Sequence, residues 1–351
     1  MKKIIFAVLA VCLSLCVSFT LMEIILRIIG YKPAYVNPLP AFHKGDPLLG
    51  WVGVPSFGAR FKRGDFDVMI QMDAGGFRKS ECAIRPEAGA RKVLFLGDSF
   101  TWGWGVEQGK VFTDVLQGEM GQGFRIGNRG VNAYGTVQEK MLLEREIGQE
   151  KPDLVGLVFF MNDFEDNVDP DGSSRPFCTV ENGKVLLRNC PVESPLGAAY
   201  SPAIRQSYAA SLLTYYGDYG IRVVKQKMAA RDFQEREKTG LEPDLVAIAD
   251  TMLAEMKNIC SAHGAEFFVV YAPASEDVAS DRETVYCSTV RKLCMDHGIG
   301  FLDMVGPFRR AEAQKKKVGG SLFFTNDRHW TDEGHRIAGQ LIRDYLRTRG
   351  S

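Results

Sequence analysis

A single hydroxyl side chain follows a short apolar run in the first third of this sequence. Residues 93–96 are Val, Leu, Phe and Leu, and Gly97, Asp98 and Ser99 come directly after them. Such a run is typical of a buried strand, and glycine permits a sharp turn at its end. We therefore expect the Ser99 hydroxyl at the rim of a sheet, where it could act as a nucleophile if a base lies beside it.

Of the five histidines, His329 is the best candidate for that base, because it lies in a loop with Asp327 two residues earlier. A nearby aspartate can hold the imidazole tautomer and stabilise its cation. The other four lie in positions typical of helix caps, helix packing or irregular segments: His43, His263, His297 and His335. A Ser-His-Asp set alone can arise by chance in a chain this long, so the fold must bring the three residues together.

Polar residues follow three predicted strands, at Asp98–Ser99, at 128–135 and at Asn162–Asp163. A fourth polar cluster, NDRHWTDEGH at 326–335, precedes the last predicted helix. Ligands of open parallel sheets bind at the carboxyl ends of the strands. These four clusters are therefore expected to form one site.

Strands and helices alternate from Lys92 to the C-terminus, with predicted strands at 93–96, 124–128, 154–161, 266–272 and 299–304. Predicted helices begin near Glu107 and near Thr331, and another begins at Thr136, where Glu139 completes a capping box. A Pro-, Ser- and Tyr-rich insertion at 164–242 interrupts the alternation. The pattern predicts an α/β fold with three α/β/α layers around a central parallel sheet.

The four clusters and their order resemble the SGNH, or GDSL-type, hydrolase family, over roughly residues 92–163 and 244–347. Gly97-Asp98-Ser99 matches the block that carries the nucleophile, and GNRGVNAYGT at 127–136 is similar to the second block. FMND matches the third, whose asparagine, Asn162 here, contributes to the oxyanion hole. DRHW with the following GH resembles the final block. The resemblance implies a flavodoxin-like fold and an oxyanion hole formed by the Ser99 amide, the residue 133 amide and the Asn162 side chain.

Two positions depart from the family pattern. The second block normally supplies a glycine amide, and that position is Ala133 here. Because the donor is a backbone N–H, alanine can serve if its φ is negative, and we expect the hole to be retained. The commonest final block, D-x-x-H, would put Asn326 in the place of the acid, whereas Asp327 stands at the D-x-H spacing of some secreted and polysaccharide-modifying members. We expect Asp327 to be the acid.

The resemblance implies a serine esterase or O-acyltransferase that acts on ester-linked acyl groups, with acetyl expected, of cell-envelope or extracellular glycans. An esterase transfers the acyl group to water, whereas an acyltransferase transfers it to a sugar hydroxyl. Two alternatives stay open: a catalytically inactive member that binds or scaffolds envelope components, and a lipid esterase. Trp102, Trp104 and Trp330 flank the nucleophile and the base. We expect them to belong to the core or the pocket wall rather than to a sugar platform.

The N-terminus has the pattern of a membrane anchor. Lys2 and Lys3 precede an uncharged stretch, Ile4–Met22, that at 1.5 Å per residue nearly crosses a ~30 Å hydrocarbon core. No small-residue cleavage site follows, which favours an uncleaved signal anchor over a cleaved signal. The lysines keep that end in the cytoplasm, so the remainder is expected on the periplasmic side of a bacterial cytoplasmic membrane. We expect three parts: an anchor (1–30), an accessory region (31–91) and a catalytic domain (92–351).

Charge and cysteine content restrict the other possibilities. Lys+Arg and Asp+Glu both number 43, so no overall positive field favours nucleic acid. There is no C-x-x-C pair and the histidines are scattered, so we expect no structural metal site, and the chemistry above needs no cofactor. Cys178 and Cys190 flank a predicted hairpin with Asn182-Gly183 at its turn, which makes a disulfide between them one possibility.

Overall fold

The computed structural model describes residues 1–31, 42–168, 174–193 and 207–349. In chain order its strands are β1 His43–Asp46, β2 Gly50–Gly53, β3 Gly58–Lys62, β4 Asp67–Gln71, β5 Arg91–Gly97, β6 Phe124–Gly130, β7 Leu154–Phe159, β8 Phe177–Glu181, β9 Lys184–Arg188, β10 Glu266–Tyr271 and β11 Gly300–Asp303. Its helices are α1 Lys2–Ile28, α2 Ser99–Trp102, α3 Phe112–Met120, α4 Thr136–Glu150, α5 Asp163–Asp166, α6 Tyr208–Thr239, α7 Pro243–Ala262, α8 Ser275–Ala279, α9 Val285–Asp296, α10 Val305–Lys316 and α11 Asp332–Thr348.

Five parallel strands form the central sheet, in the order β11-β10-β7-β5-β6. This is the flavodoxin-like order, in which the chain reverses direction across the sheet between β5 and β7. The strand β7 is buried along its whole length, as expected of a central strand covered on both faces. The predicted α/β fold with a central parallel sheet is confirmed.

Helices pack on both faces of the sheet. On one face α4, α7 and α9 contribute Leu142, Met256 and Val290 to a buried core. On the other, α3 and α11 contribute Phe112 and Ile342 to a second core. Each such side chain stabilises the fold by about 1.5–3 kcal/mol on burial, so the sheet is a rigid base for the loops at its carboxyl edge.

The accessory region packs directly against the first turn after β5. Its two hairpins, β1–β2 and β3–β4, supply Phe42, Phe61 and Phe66 to an aromatic cluster that includes Trp102. Arg78 is buried and donates hydrogen bonds to the carbonyls of residues 103 and 106, at 3.0 and 2.7 Å. Residues 32–41 of the predicted accessory region lie outside the described part of the chain.

Within the described part of the insertion at 164–242, the chain forms the β8–β9 hairpin and the 32-residue helix α6. Asn182 and Gly183 form the predicted turn, with φ of +51° and +72°. The suggested disulfide is wrong, because both cysteines are free thiols. The two-residue turn pairs Cys178 with Leu187, and Cys190 lies three residues further along the chain.

The helix α1 spans 27 residues and contains an exposed 18-residue window with a mean hydropathy of 2.7. It is long and apolar enough to cross a membrane or to serve as a signal anchor. Near its end, the Glu23 carboxylate accepts hydrogen bonds from the Ser207 hydroxyl and the Ala209 amide, at 2.9 and 2.8 Å. These contacts join the end of α1 to the beginning of α6.

Three local predictions differ from the structure. Gly135, not Thr136, caps α4, and the Asn167 side chain accepts from the amide of Val137 at 2.9 Å in place of the expected capping box. The helix expected from Glu107 begins only at Phe112. The helix α10 is one that the sequence pattern did not predict, and Lys315 and Lys316 form its last turn.

Candidate active site

Ser99 lies at the carboxyl edge of the sheet, as the first residue of the short helix α2. Gly97 ends β5, and a Cβ there would lie 2.2 Å from Thr101 Oγ1. Gly130 ends β6, and a Cβ there would lie 2.3 Å from the Trp102 amide nitrogen. These two glycines therefore allow α2 to pack against the ends of both strands, and the serine emerges at the rim as predicted.

The hydroxyl of Ser99 and the imidazole of His329 meet although they are 230 residues apart in the chain. Ser99 Oγ lies 2.7 Å from His329 Nε2, and His329 Nδ1 hydrogen-bonds to Asp327 Oδ1. With the Nδ1 proton directed at the carboxylate, Nε2 is the acceptor for the serine proton. The Asp327 side chain is 7% exposed and that of His329 is 24% exposed, so the acid is buried while the base faces the cavity.

The residues on either side of the expected acid have separate functions. The side-chain amide of Asn326 donates a hydrogen bond to Asp65 Oδ1 at 2.7 Å. Asp65 Oδ2 accepts from the backbone amides of Asn326 and Asp327, at 2.9 and 2.8 Å. The accessory region thus fixes the backbone of the loop that carries Asp327. The sequence analysis did not identify Asp65, because no motif links it to the loop at 326–329.

Aromatic rings enclose the imidazole of His329. Trp104 stacks on it, with ring centroids 5.3 Å apart and planes 25° apart, and Phe100 lies 4.8 Å away on centroids. Trp104 in turn packs edge-on against Phe61 of the accessory region at 5.0 Å. Trp102 and Trp330 are fully buried, as expected of core residues. Of the three tryptophans, Trp104 is the one that lines the cavity at Ser99.

Asn162 follows β7 and precedes α5, and its side chain does not cap that helix. Its Nδ2 donates to Asp166 Oδ2 at 2.8 Å, which fixes the orientation of the amide. A side-chain amide carries two N–H donors, so the second remains for a ligand. Asn162 lines the same cavity of about 330 Å³ as Ser99 and His329.

Ala133 lines that cavity too, but its backbone differs from the expectation. We expected a negative φ, and this is wrong: φ is +59°, in the left-handed region. This conformation costs a residue with a Cβ roughly 1–2 kcal/mol, whereas the glycine of the family motif adopts it without strain. The donor in either case is a backbone N–H, so Ala133 remains a candidate for the oxyanion hole. Arg175 donates to its carbonyl at 3.2 Å.

Asp98, which precedes Ser99 in the chain, interacts electrostatically with two further buried carboxyl groups, Glu139 and Asp163. Asp98 caps α2 by accepting from the Phe100 amide at 2.8 Å, and burial raises the pKa of its carboxyl to about 6. Burial and the negative charge of Asp98 also raise the pKa of Glu139 and Asp163 well above their usual values. Neither carboxylate oxygen of Glu139 has a hydrogen-bond partner among the described residues. Burial and the neighbouring carboxylates therefore favour the protonated forms of Glu139 and Asp163.

The remaining histidines have other positions. His335 is buried beside Phe112, accepts from the Phe112 amide at 3.3 Å, and has its pKa lowered to about 3 by burial, which agrees with a packing role. His263 and His297 occupy the C-caps of α7 and α9, as predicted. His43 is buried in the accessory region, near Trp102.

Comparison with known proteins identifies the family. The sequence profile of the GDSL-like Lipase/Acylhydrolase family matches residues 95–337. The sequence matches no curated protein.

Solved structures of similar fold share little sequence with the chain. An acetyl xylan esterase matches with a TM-score of 0.42 and 14% identity, over 73% of this chain and 99% of that one. A carbohydrate acetylesterase family member from Sinorhizobium meliloti matches with a TM-score of 0.40 and 15% identity, over 74% and 98%. A lipase/acylhydrolase from Enterococcus faecalis matches with a TM-score of 0.41 and 14% identity, over 74% of this chain and 96% of that one. On the family match, which covers more than half of its length, this chain belongs to the GDSL-like lipase/acylhydrolase family of ester hydrolases.

Proposed function

We propose that the protein is a serine ester hydrolase in which Ser99 is the nucleophile, His329 the general base and Asp327 the residue that orients the base. The observation that carries this proposal is the 2.7 Å contact between Ser99 Oγ and His329 Nε2, with Asp327 on the other ring nitrogen. A serine hydroxyl is a weak nucleophile without such a base, and the pair satisfies the reach that general-base catalysis requires.

The reaction has two stages. His329 takes the Ser99 proton as Oγ attacks the ester carbonyl, and the resulting imidazolium is stabilised by Asp327. The amides of Ser99 and Ala133 and the Asn162 side chain donate to the oxyanion, and each such donor lowers the barrier by about 3–4 kcal/mol. The imidazolium then protonates the leaving alcohol, and the acyl-enzyme is hydrolysed by a water from which His329 takes a proton.

The proposed substrate is an O-acylated glycan of the cell envelope, and a sugar hydroxyl in place of water would make the same site an O-acyltransferase. The D-x-H spacing of Asp327 and His329 supports this class by its resemblance to secreted and polysaccharide-modifying members. The helix α1 begins with Lys2 and Lys3, which would stay in the cytoplasm, and it would hold the catalytic domain on the outer side of the membrane. The partition into anchor, accessory region and catalytic domain is part of the same proposal.

The proposal is tested with the full-length chain in detergent and a chromogenic acetate ester. Ser99→Ala and His329→Gln should each lower kcat by at least about 10³-fold. Ser261→Ala and His263→Gln, which change exposed residues of the same types on or beside α7, should leave the rate as it is. Equal activity in Ser99→Ala would refute the proposal.

Three further outcomes separate the alternatives. No turnover by the unaltered chain, combined with binding of an envelope glycan, would favour the scaffold function. An added oligosaccharide acceptor separates transfer from hydrolysis, because only a transferase produces acylated sugar. Turnover confined to phospholipid or glyceride esters would favour a lipid esterase.

A further inference from the structure

A second cavity adjoins the catalytic one. It has a volume of about 350 Å³, and Phe160, Asn162 and Arg328 line both cavities. This volume is in the range of small-molecule sites. Since one of the shared residues is the proposed oxyanion donor Asn162, a group attached to the reacting carbonyl could extend directly into the second cavity.

The walls of this second cavity are largely apolar. They include the side chains of Phe160, Met161, Phe233 and Tyr286 and the methyl group of Ala274. Phe233 and Tyr286 stack in parallel, with centroids 5.7 Å apart and planes 7° apart. Phe160 packs on Phe100 at 4.3 Å, next to the nucleophile. A continuous apolar surface therefore runs from Ser99 to the far wall.

The charged groups around the second cavity are paired with one another. Arg236 forms an ion pair with Glu165, and Arg328 forms one with Glu276. Asp232 lies on an exposed position of α6. Because the two guanidinium groups already have carboxylate partners, the cavity favours an uncharged apolar ligand over an anion.

We propose that the second cavity binds the aliphatic acyl chain of the ester, so that the enzyme selects acyl groups longer than acetyl. The inference rests on the proposed function, because the chain must be attached to a carbonyl held at Ser99 and Asn162. The sugar or other alcohol then lies in the catalytic cavity beside His329, which protonates it as it leaves.

The wall that α6 provides is specific to the insertion. Phe233 and Arg236 belong to residues 164–242, which lie outside the segments that resemble the SGNH family, whereas Phe160 and Asn162 belong to the third block. The triad and the wall formed by α6 are therefore supplied by different parts of the sequence. This separation allows substitution in α6 without altering the triad.

The test is a series of p-nitrophenyl esters from acetate to decanoate, assayed with the full-length chain below their micelle concentrations. Each methylene that enters the cavity should raise kcat/KM about fourfold, which corresponds to about 0.8 kcal/mol. The rise should stop once the cavity is full. A kcat/KM that falls steadily as the acyl chain lengthens from acetate would overturn the proposal.

Phe233→Ala removes one wall of the cavity and should reduce the dependence of kcat/KM on acyl-chain length. We expect the ratio of kcat/KM for octanoate to that for acetate to fall by roughly fourfold to sixteenfold, the equivalent of one or two methylene contacts. Gln234→Ala, which changes the exposed neighbour on the same helix, is the matched control and should keep the original ratio. An unchanged ratio in Phe233→Ala would refute the acyl subsite.

Ser99→Ala distinguishes failure of this inference from failure of the proposed function. Loss of all turnover in Ser99→Ala together with an acetate preference would leave the serine esterase intact and refute the subsite alone. If Phe233→Ala instead raises KM for an acetylated oligosaccharide without changing the chain-length profile, the cavity binds the sugar and the proposal is wrong. Full activity in Ser99→Ala would refute both.

Discussion

The carboxylate of Asp65 accepts a hydrogen bond from the backbone amide of Asp327 at 2.8 Å, across 262 residues of sequence. It also accepts two from Asn326, so that the loop carrying the proposed catalytic acid is held by three hydrogen bonds to one side chain. Asp65 does not contact the imidazole itself. It is therefore a positioning residue of the accessory region.

Asp65→Ala should lower kcat by roughly 10- to 100-fold, because a displacement of about 1 Å in a catalytic group can cost 10²-fold. KM should change little, since Asp65 is absent from the cavity at Ser99. Asp65→Asn, which keeps one acceptor oxygen, should recover part of the rate. The control is Asp67→Ala on the same hairpin. A loss of kcat in Asp65→Ala that follows only the fraction of unfolded protein, measured by circular dichroism, would contradict the positioning role.

Asn162→Ala should lower kcat by about 10²–10³-fold through loss of one oxyanion donor. Asp166→Ala should have a smaller effect in the same direction, because Asp166 orients the amide of Asn162 without touching the oxyanion. Steady-state kinetics with an acetate ester measure both. Asn258→Ala, at an exposed position on α7, is the control. Full activity in Asn162→Ala would exclude the side chain from the oxyanion hole.

Ala133→Gly tests the backbone conformation of the second block. Glycine relieves roughly 1–2 kcal/mol of strain at φ +59°, but the greater entropy of the unfolded chain costs about 0.4–1 kcal/mol. The free energy of unfolding should therefore rise by roughly 0–1.6 kcal/mol. The amide stays in place, so activity should be retained. Ala247→Gly, inside α7, should instead lower the free energy of unfolding by about 1 kcal/mol, because glycine is a poor helix former. Denaturant titration compares the variants, and a comparable loss in Ala133→Gly would contradict the strained conformation.

The parts of the site that lie within one segment could be predicted from the sequence. Residues 93–99 contain a strand pattern and a turn residue within seven positions, so the location of Ser99 followed from local chemistry. Asp327 and His329 are two residues apart, and the structure brings them together. The strand ends that carry Ser99 and Asn162 could be placed at one edge because parallel sheets align their carboxyl ends.

Relationships between distant segments could not be predicted in this way. No local pattern connects Asp65 with Asp327, and the Asn167 side chain that replaces the expected cap of α4 belongs to the residue directly after α5. The hairpin between Cys178 and Cys190 was predicted, but the disulfide prediction was wrong because strand register, rather than the proximity of hairpin ends, decides which residues face each other. The positive φ of Ala133 was missed because alanine rarely adopts it.

Glu139→Gln should make the stability of the protein less dependent on pH. Glu139 is fully buried, and its pKa is raised by burial and by Asp98 and Asp166. A raised pKa in the folded state stabilises the protein at pH values below the ordinary pKa of 4.5, and this stability is lost as the pH rises. Each pH unit between the ordinary pKa and the raised pKa of Glu139 lowers the free energy of unfolding by up to about 1.4 kcal/mol.

The comparison requires thermal unfolding midpoints at pH 5 and pH 8. The unaltered chain should lose more stability between these values than Glu139→Gln does, although Asp98 and Asp163 continue to contribute in both proteins. Glu144→Gln, on the exposed side of α4, should behave like the unaltered chain. Parallel pH curves for the unaltered chain and Glu139→Gln would show that Glu139 does not contribute.

The most direct test of the central claim is to identify the residue that an active-serine fluorophosphonate modifies in the full-length protein. The Ser99 oxygen should displace fluoride, and peptide mass spectrometry should locate one phosphonyl group on Ser99. His329→Gln should abolish the modification, because the serine is then no longer activated. The absence of label, or label at another residue in a protein that still hydrolyses esters, would contradict the account.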